Sequence, residues 1–586
     1  MITVDAGKDA LVARAPFDLK DSLKAIIGAR WDPIARGWCY PPTSESLTEL
    51  AAIAECSVTP AAHSLVDQRH PPLDAPVWPA DVRPMNNPTI EPWSHQRRAF
   101  DFAAQREGTA LRLKMRMGKT LTSLALARAW GCELILVVSP PKVMDVWRDE
   151  ASEHVPGMFQ VEVLDHPSVT KRAKKLRLLL DVPRDAPLIV VTHYAAVWRD
   201  PLGPLIKSVK WDLVICDELH RLKSPGSTVS KFMARVKAKR RLGPTGTLLP
   251  NGIIDAYAQM RFVDPTIFGT SAAAFRARYR TLVEPINYEV SANGFLIVRA
   301  HYQRLSEIKA LPGGRYMKEA GKWMVEDTPS AREQLDRLTA GGDAQTKDFT
   351  KRLGRVTISI DYDEADINLP EQQDQPIFVD LSRAARQAYE EMRKYLIAQV
   401  TSGEIVAANA LVKSLRLAQI AGGVVETDEG EQVELCTAKI DALAEVVADW
   451  SGSPIATFCR FRCDLARIEA LAEKLGMRYG EISGRRDDGK EGRFLARDLD
   501  LIAIQIQSGG LGLDFYACHM APFFTLSWSA SDYEQARYRF LGSRQKNVVT
   551  FPHIIARDTI DEVIWQALLE KISTSEAVMR HLKATK

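Results

Sequence analysis

The sequence predicts an α/β protein with two lobes built on parallel sheets and two small α+β modules, one N-terminal and one inserted late in the first lobe. Short apolar runs such as CELILVVSPP and PLIVVTHY alternate with amphipathic stretches from about residue 93. Such runs are typical of buried parallel strands joined by crossover helices. A second series follows residue 435, and a repeated segment of about 30 residues precedes each series.

The repeat relates LVARAPFDLKDSLKAIIGARWDPIARGWCY, which starts at Leu11, to LIVRAHYQRLSEIKALPGGRYMKEAGKWMV, which starts at Leu296, without a gap. Nine positions are identical, among them Trp38 and Trp323. Each copy predicts a strand, a short helix and a hairpin whose aromatic residues can stack on one core. Two interpretations stay open. The copies form either a duplicated small fold without chemistry or a docking module whose basic and aromatic residues suit phosphates and bases.

Composition and motif positions divide the chain into six segments. The stretch TPAAHSLVDQRHPPLDAPVWPADVRP is rich in Pro, Ala and His and predicts a linker. The predicted segments are the first repeat module (1–56), the linker (57–92), lobe one (93–285), the inserted second module (286–345), a connection (346–375) and lobe two (376–586).

Composition excludes several classes of protein. Of 586 residues, 46% are hydrophobic and 26% are charged, which is the balance of folded domains and not of a disordered chain. The net charge is only +3, so any nucleic-acid surface must be local. The chain has no long apolar run for a membrane span, and Asp5 and Lys8 interrupt a signal peptide. Eight scattered cysteines without a CxxC pair favour a reducing, cytosolic compartment.

The segment MRMGKT follows an apolar run and opens a helix. Helix N-terminal amides and the helix dipole favour a phosphate at such a junction. Lys119 would reach the β/γ-phosphates of ATP, Thr120 would hold Mg²⁺, and Gly118 would allow close approach of the backbone. We therefore predict that Met117, Gly118, Lys119 and Thr120 bind ATP with Mg²⁺. The first glycine of the usual pattern is absent, and a capped helix start is the alternative interpretation.

The acidic pair of DELH comes at the end of the apolar strand DLVIC. Asp217 would bind Mg²⁺, and Glu218 would activate the attacking water. Alone, an acidic pair after a strand is as often a loop start or a helix cap as a catalytic pair. It lies far enough beyond Lys119 for several βα units between them, and the two motifs together predict a P-loop nucleoside triphosphatase.

With GPTGTLLPN, which contains Thr245 and Asn251, the chain resembles the Swi/Snf-type group of superfamily-two helicase-like translocases. That group has an S/T-G-T-P-x-x-N element here, and a leucine replaces its proline in this chain. WSHQRRAF resembles the adenine-side glutamine motif, with Gln96. VVSPPKVMDVWRDE resembles motif Ia. VVTHYAAV resembles the next strand-end motif, with Thr192 and Tyr194, which could otherwise be simple strand-end residues.

The second half of the chain continues the resemblance. QIQSGGLGLDFYACHMAPFFTLSW resembles motif V, with Gly512 and Asp514, and DYEQARYRFLGSRQK resembles motif VI. The family pattern of motif VI has two arginines. Arg539 matches the first, whereas Gly542 stands at the second and Arg544 is a possible substitute. The chemistry needs a cation that reaches the γ-phosphate from the other lobe, so that closure and hydrolysis are coupled.

The resemblance implies two RecA-like lobes that bind ATP and Mg²⁺ between them while duplex, forked or single-stranded DNA crosses both. It also implies a monomer without a membrane partner, in the cytoplasm of a bacterium or a phage-infected host. The repeats resemble the small HARP-type domains of the annealing-helicase branch. The residues that would contact DNA are Lys142, Thr192, Tyr194, Thr245, Asn251, Trp38 and Trp323. The residues that would contact the nucleotide are Gln96, Met117, Gly118, Lys119, Thr120, Gly512 and Asp514.

Besides an ATP-driven motor that moves along DNA, two other functions stay open. A strand-separating helicase would need a wedge, which the sequence does not reveal. A non-catalytic DNA-binding scaffold is possible because Arg116 stands where translocases usually have a second glycine and Gly542 replaces an arginine. The basic stretches TKRAKKLRLLL and KFMARVKAKRRL could line a duplex through phosphate contacts or could be solvated helix faces.

Overall fold

The N-terminal module is a five-stranded sheet with three helices. Its elements in chain order are β1 (Ile2–Ala6), β2 (Leu11–Arg14), α1 (Lys20–Ala25), β3 (Arg30–Asp32), β4 (Gly37–Tyr40), α2 (Ser44–Ile53), β5 (Cys56–Val58) and α3 (Pro60–Gln68). The strand order is β3-β4-β2-β1-β5, and only the β1–β5 pair is parallel. Apolar side chains of β1 and β2 form one core with Leu23, Leu50 and Val66 of the three helices.

These elements belong to a computed structural model in which the chain forms two units, Met1–Asp366 and Ile367–Lys586. Across the part of the chain that the structure describes, every helix is too short or too polar to cross a lipid bilayer. The described residues are 1–7, 10–26, 29–40, 42, 44–68, 76–82, 91–249, 252–283, 286–291, 295–300, 304–317, 322–339, 342–365, 370–401, 407–426, 432–450, 453–484, 486, 498–506, 515–541 and 545–570.

The start of the predicted linker 57–92 belongs instead to the first module. Pro60 is the first residue of α3, a position that tolerates proline because its backbone N–H needs no helical partner. The Thr59 hydroxyl caps the helix by accepting the N–H of Ala62 at 3.3 Å. Ala62 and Val66 are buried in the module core. The proline that indicated a linker is therefore a helix start.

Lobe one begins with alternating helices and strands. Its elements up to the insertion are α4 (Ser94–Ala104), β6 (Gly108–Leu113), α5 (Lys119–Ala129), β7 (Leu134–Ser139), α6 (Met144–His154), β8 (Gln160–Val163), α7 (Val169–Asp181), β9 (Leu188–His193), α8 (Leu202–Ser208), β10 (Trp211–Cys216), α9 (Thr228–Met233), β11 (Ala238–Thr245), α10 (Ile253–Val263), α11 (Ala272–Arg278) and α12 (Arg280–Val283). The apolar runs of the sequence are its buried strands, as predicted.

The inserted module repeats the topology of the first. It comprises β12 (Ile286–Val290), β13 (Phe295–Ala300), α13 (Leu305–Lys309), β14 (Arg315–Met317), β15 (Lys322–Glu326) and α14 (Pro329–Thr339). Its antiparallel order β12-β13-β15-β14 corresponds to β1-β2-β4-β3. The strand, short helix and hairpin predicted for each repeat are confirmed, and the first module adds β5 and α3.

After the insertion, α15 (Gly342–Gly354) and β16 (Thr357–Ile360) return the chain to lobe one. β16 lies at the edge of a seven-stranded, fully parallel sheet with the order β16-β6-β11-β10-β7-β9-β8. The predicted connection 346–375 is thus divided between the lobes. Its residues up to 360 complete this sheet of lobe one, and from Gln372 the next strand belongs to lobe two.

Lobe two is a second parallel sheet with helices. Its elements are β17 (Gln372–Val379), α16 (Arg383–Thr401), α17 (Ala407–Gly422), β18 (Val424–Glu426), β19 (Gln432–Glu434), α18 (Ala438–Ala448), β20 (Ile455–Cys459), α19 (Arg462–Lys474), β21 (Tyr479–Ile482), β22 (Leu501–Gln505), α20 (Ala530–Tyr538), β23 (Val549–Ala556) and α21 (Ile560–Glu570). Bridges through residues 520–523 join β21-β22-β20 to β23-β17. A buried ion pair between Lys439 and Asp561 links α18 to α21.

A charge network fastens the first module to lobe one. Glu49 of α2 accepts two hydrogen bonds from the Arg278 guanidinium, both at 3.2 Å, and is also paired with Arg352. Asp348 bridges the same two arginines at 3.0 Å each. Arg278 ends α11 before the insertion and Arg352 lies in α15 after it. Glu49 therefore holds both ends of the lobe-one segment from which the second module projects.

We expect Glu49→Gln to lower the free energy of unfolding of this unit by about 1–3 kcal/mol, because two arginines lose a charged acceptor in a partly buried setting. Urea denaturation would measure the loss. Glu333→Gln is the matched control, since Glu333 and Arg337 form an exposed pair within one helix, 73% and 65% accessible at the arginine and glutamate. Equal unfolding midpoints for the two variants would contradict the role assigned to Glu49.

His553 makes lobe two sensitive to acid. This side chain is fully buried in β23, its Nε2 lies 2.9 Å from the Tyr533 hydroxyl and 3.9 Å from Asp374, and Arg537 is close by. Burial, and then the Arg537 charge, lower the pKa of His553 to about 3. The unfolded chain binds this proton near pH 6.5 and the folded chain does not, so stability falls as the pH drops from about 6.5.

We predict that His553→Gln removes about one proton from the difference in proton binding between the unfolded and the folded chain at pH 6.5 to 5. The slope of the unfolding free energy against pH should therefore fall by about 1.4 kcal/mol per pH unit. Denaturation midpoints at several pH values would give the slope for both proteins. His193, whose pKa burial lowers to about 4, keeps its own contribution in the variant and serves as the internal reference. An unchanged slope would show that His553 is not the acid-labile group.

Candidate active site

The segment between β6 and α5 forms a tight loop at the carboxyl end of the parallel sheet. Gly118 has a φ of 72°, and a Cβ added there would lie 2.0 Å from Gln96 Nε2, so only glycine fits. Arg116 has a φ of 65°. Holding a non-glycine residue in this left-handed region costs about 1–2 kcal/mol, so the surrounding structure must support this conformation.

The loop carbonyls are held by protein donors. Lys119 Nζ donates to the carbonyls of Leu113 and Lys114, both at 3.4 Å. The Met117 carbonyl lies 3.1 Å from His95 Nε2 and 3.5 Å from Gln96 Nε2. Gln96 thus supports the loop from α4, where its side chain is buried. Met117, Gly118, Lys119 and Thr120 lie together at this loop and the first turn of α5.

The acidic pair follows β10, two strands away from β6 in the same sheet. Asp217 Oδ2 accepts a hydrogen bond from Trp147 Nε1 at 3.2 Å, and Oδ1 accepts the Glu218 N–H at 3.0 Å. Burial, and then the neighbouring Glu218 charge, raise the pKa of Asp217 to about 6, although the Lys119 ammonium opposes this rise. The two sequence motifs are therefore electrostatic neighbours in the structure.

Glu218 has the opposite electrostatic setting. Burial would raise its pKa, but the hydrogen bond from His220 and the charge of Lys119 outweigh burial and lower the pKa to about 2. Its φ of 53° is a strained conformation of the kind that clusters at functional sites. The carboxylate is held ionised and immobile.

His220 links the acidic pair to the segment after β11. Its Nδ1 lies 3.2 Å from Glu218 Oε2 and 3.2 Å from Thr245 Oγ1. The Thr245 hydroxyl donates in turn to the Thr247 carbonyl at 2.7 Å. His220 is the last residue of DELH and is not among the predicted site residues. Its position two residues after Glu218 is the sequence signal that could have identified it.

Three residues predicted to contact DNA are buried instead. Thr192 and Thr245 have no exposed surface, because each lies in the buried part of a strand that has neighbours on both sides in the sheet. The Tyr194 hydroxyl donates to the Asp217 carbonyl at 2.6 Å inside the lobe. Tyr194 and Thr245 therefore shape the acidic pair and its histidine, and none of the three offers a surface for DNA.

Several other predicted residues cannot be placed in this arrangement. Asn251, Gly512, Asp514 and Arg544 lie outside the described residues, as does the side chain of Lys142. Arg539 is buried at the end of α20 in the second unit, where its carbonyl accepts the Phe515 N–H at 3.1 Å.

The two modules present matching aromatic pairs. In the first, the Trp31 and Trp38 rings meet edge to face with centroids 5.6 Å apart, and in the second Tyr316 and Trp323 are also 5.6 Å apart. Trp38 and Trp323 pack on the module cores, whereas Trp31 is 52% and Tyr316 49% exposed. The tryptophans predicted to contact DNA thus support more exposed rings. These exposed rings, Trp31 and Tyr316, stand at equivalent positions of the sequence repeat.

Comparison with known proteins identifies relatives of the chain. A putative protein p41 of Acyrthosiphon pisum secondary endosymbiont phage 1 is 27% identical over 492 residues, which cover 80% of this chain and 94% of that protein. The mouse DNA excision repair protein ERCC-6-like 2 is 34% identical over 152 residues, and the human chromatin-remodeling ATPase INO80 is 30% identical over 166. Each of these matches covers 26% of this chain but only 9% and 10% of those proteins.

Among solved structures, the Sulfolobus solfataricus SWI2/SNF2 ATPase core in complex with dsDNA matches 87% of this chain and 98% of that chain, at 19% identity and a TM-score of 0.37. The family model of the SNF2-related domain matches residues 95–422. This match includes the loop between β6 and α5, residues 114–118, which we call the phosphate-type loop. It also includes the acidic pair with its histidine, the inserted module and the start of lobe two. Since it spans more than half of the sequence, the chain belongs to the SNF2-related family.

Proposed function

We propose that this protein hydrolyses ATP to move along DNA, acting on duplex or branched substrates. The observation that carries the proposal is the buried pair Asp217 and Glu218, electrostatically coupled to Lys119 of the phosphate-type loop. Nucleoside triphosphatases need a lysine at the phosphates, an aspartate at Mg²⁺ and a group that orients the attacking water, all around one phosphate chain. Membership of the SNF2-related family supports the same reaction, as does the matched chromatin-remodeling ATPase.

In this proposal the loop and the first turn of α5 receive the phosphates of ATP, and the Lys119 ammonium moves from the loop carbonyls to the phosphate oxygens. Thr120 and Asp217 would hold Mg²⁺, which when bound would neutralise phosphate charge. The donor set fits a cation that takes most of its ligands from water and phosphate. Asp217 has a raised pKa because its charge is buried beside Glu218, and a nearby cation would favour the ionised form.

Glu218 would orient the attacking water. Its pKa near 2 keeps the carboxylate ionised at neutral pH, so both oxygens can accept hydrogen bonds. His220 and the Gly246 N–H both donate to this carboxylate, and its remaining lone pairs can accept from water. Gln96, Gly512 and Asp514 as nucleotide contacts, and Arg539 with Arg544 as the cations that reach the γ-phosphate, remain predictions.

DNA would be held mainly through its phosphates, so affinity should fall with salt and show little base preference. Lys142 and Asn251 remain predicted contacts in lobe one. We further propose that the aromatic pairs of the two modules dock single-stranded or branched regions and direct the motor to forks or to strands that reanneal, as the HARP-type resemblance implies. A monomeric state and a cytoplasmic location remain predictions, and the phage relative supports only the prediction of a phage-infected host.

The decisive experiment measures ATP hydrolysis without DNA and with single-stranded, duplex and forked DNA. We expect DNA to stimulate the wild type, and Lys119→Ala and Glu218→Gln to lower the rate by at least about a hundredfold. Lys474→Ala, at an exposed position of α19, is the control and should match the wild type. Stronger stimulation by forks would support the modules as docking elements. Tight DNA binding without hydrolysis on any DNA would replace the motor by a non-catalytic scaffold.

His220 provides a second test of the mechanism. In His220→Ala, Glu218 loses its hydrogen-bonded partner, so we expect kcat to fall about ten- to a hundredfold while ATP binding persists. Because His220 helps to lower the pKa of Glu218, its removal should move the acidic limb of the kcat profile to higher pH. His63→Ala, at an exposed position of α3, is the control. An unshifted acidic limb would assign that limb to another group.

A further inference from the structure

The first two residues after β16 contact the phosphate-type loop and the strand end that precedes it. Tyr362 Oη donates a hydrogen bond to the Met115 carbonyl at 2.9 Å. Asp361 accepts two hydrogen bonds from the Arg112 guanidinium, at 3.0 and 3.2 Å, and lies 3.5 Å from Lys114 Nζ. Arg112 and Lys114 flank the end of β6, where the loop begins. Neither motif comparison nor family pattern pointed to Asp361 or Tyr362.

The contact of Tyr362 completes a set of donors that fixes the loop carbonyls. The Lys114 carbonyl accepts from Lys119, the Met115 carbonyl from Tyr362, and the Met117 carbonyl lies within reach of two side chains of α4. In a planar trans peptide the N–H points opposite to the C=O. A donor that holds a carbonyl on one side therefore directs the following N–H to the other side.

The N–H that Tyr362 directs is the one of Arg116. This residue has the left-handed φ of 65°, a conformation that arginine does not adopt without support from its surroundings. A hydrogen bond to the preceding carbonyl supplies such support, because it fixes the peptide plane that enters Arg116. Arg116 therefore makes the loop depend more on an external donor than a glycine at this position would.

Asp361 acts on the charges at the same place. Its hydrogen bonds with Arg112, and then the charges of Arg112 and Lys114, hold the pKa of this carboxyl below its ordinary value. Asp361 offsets two cations at the end of β6, and one of them, Lys114, also provides a carbonyl that accepts from Lys119. The backbone that precedes the loop is therefore fixed from the same segment as the loop itself.

We infer that Tyr362, assisted by Asp361, is a positioning residue that shapes the phosphate-type loop for nucleotide. The inference rests on the proposed binding of ATP at that loop. Both residues lie shortly before the boundary between the units, Asp366 and Ile367. The chain that continues into lobe two is thereby hydrogen-bonded to the loop, so the geometry of the loop and the position of this segment depend on each other.

The test compares Tyr362→Phe with Tyr288→Phe. Each variant removes one hydroxyl that donates a single hydrogen bond, the Tyr288 donation going to Asp336 Oδ1 within the second module. Titration of a fluorescent ATP analogue with Mg²⁺, without DNA, should give a Kd about three- to tenfold higher for Tyr362→Phe and an unchanged Kd for Tyr288→Phe. In hydrolysis assays KM should rise by the same factor and kcat should change less than about twofold.

A second variant, Asp361→Asn, keeps the shape of the side chain and should also raise the Kd, while thermal melting of both variants stays at the wild-type temperature. If Tyr362→Phe and Asp361→Asn bind the analogue within twofold of wild type while Lys119→Ala does not bind, the positioning role is overturned and the proposed function stands. If the two variants lose affinity for the analogue but the wild type never hydrolyses ATP, the positioning role stands and the proposed function is overturned. A wild type that binds no nucleotide would overturn both.

Discussion

The burial of two adjacent carboxylates at the end of β10 is the constraint around which lobe one is organised. Two like charges in a low-dielectric interior are costly unless donors and cations surround them. Trp147 and the Glu218 amide serve Asp217, His220 serves Glu218, and Lys119 opposes the field of both. These groups come from three different parts of the chain, and the parallel sheet brings them together because the carboxyl ends of its strands share one edge. Tyr194 closes the arrangement from within, by bonding to the backbone of Asp217.

The duplicated modules show how a small fold is attached to this sheet in two ways. The first is fastened by Glu49 to helices of lobe one, while its own strand β5 and helix α3 complete its sheet and core. The second is inserted between α12 and α15, so both of its ends are fixed in the lobe. In each module a half-buried tryptophan supports an exposed ring at the equivalent position. The shared geometry supports one role for both copies.

Sequence reasoning predicted the parallel sheets, the repeat topology and the clustering of Lys119 with Asp217 and Glu218, because apolar runs, ungapped identities and short motifs report local structure directly. It failed where an outcome depended on long-range packing. Thr192 and Tyr194 end a strand, but the sequence does not tell which neighbours cover that strand. Pro60 indicated a linker by composition and starts a helix by position. The contact of Tyr362 with Met115 joins residues 247 positions apart, and no local pattern signals such a pair.

The position of β16 has a consequence for how the protein is made. The strand that leads into the phosphate-type loop, β6, lies between β11 and β16, and β16 follows the whole inserted module in the chain. During synthesis one edge of β6 therefore stays unpaired until residues 357–360 have left the ribosome and joined the sheet. An unpaired strand edge is a site for wrong association. Rapid local folding of the inserted module, whose contacts are short in sequence, would shorten the interval during which that edge is exposed.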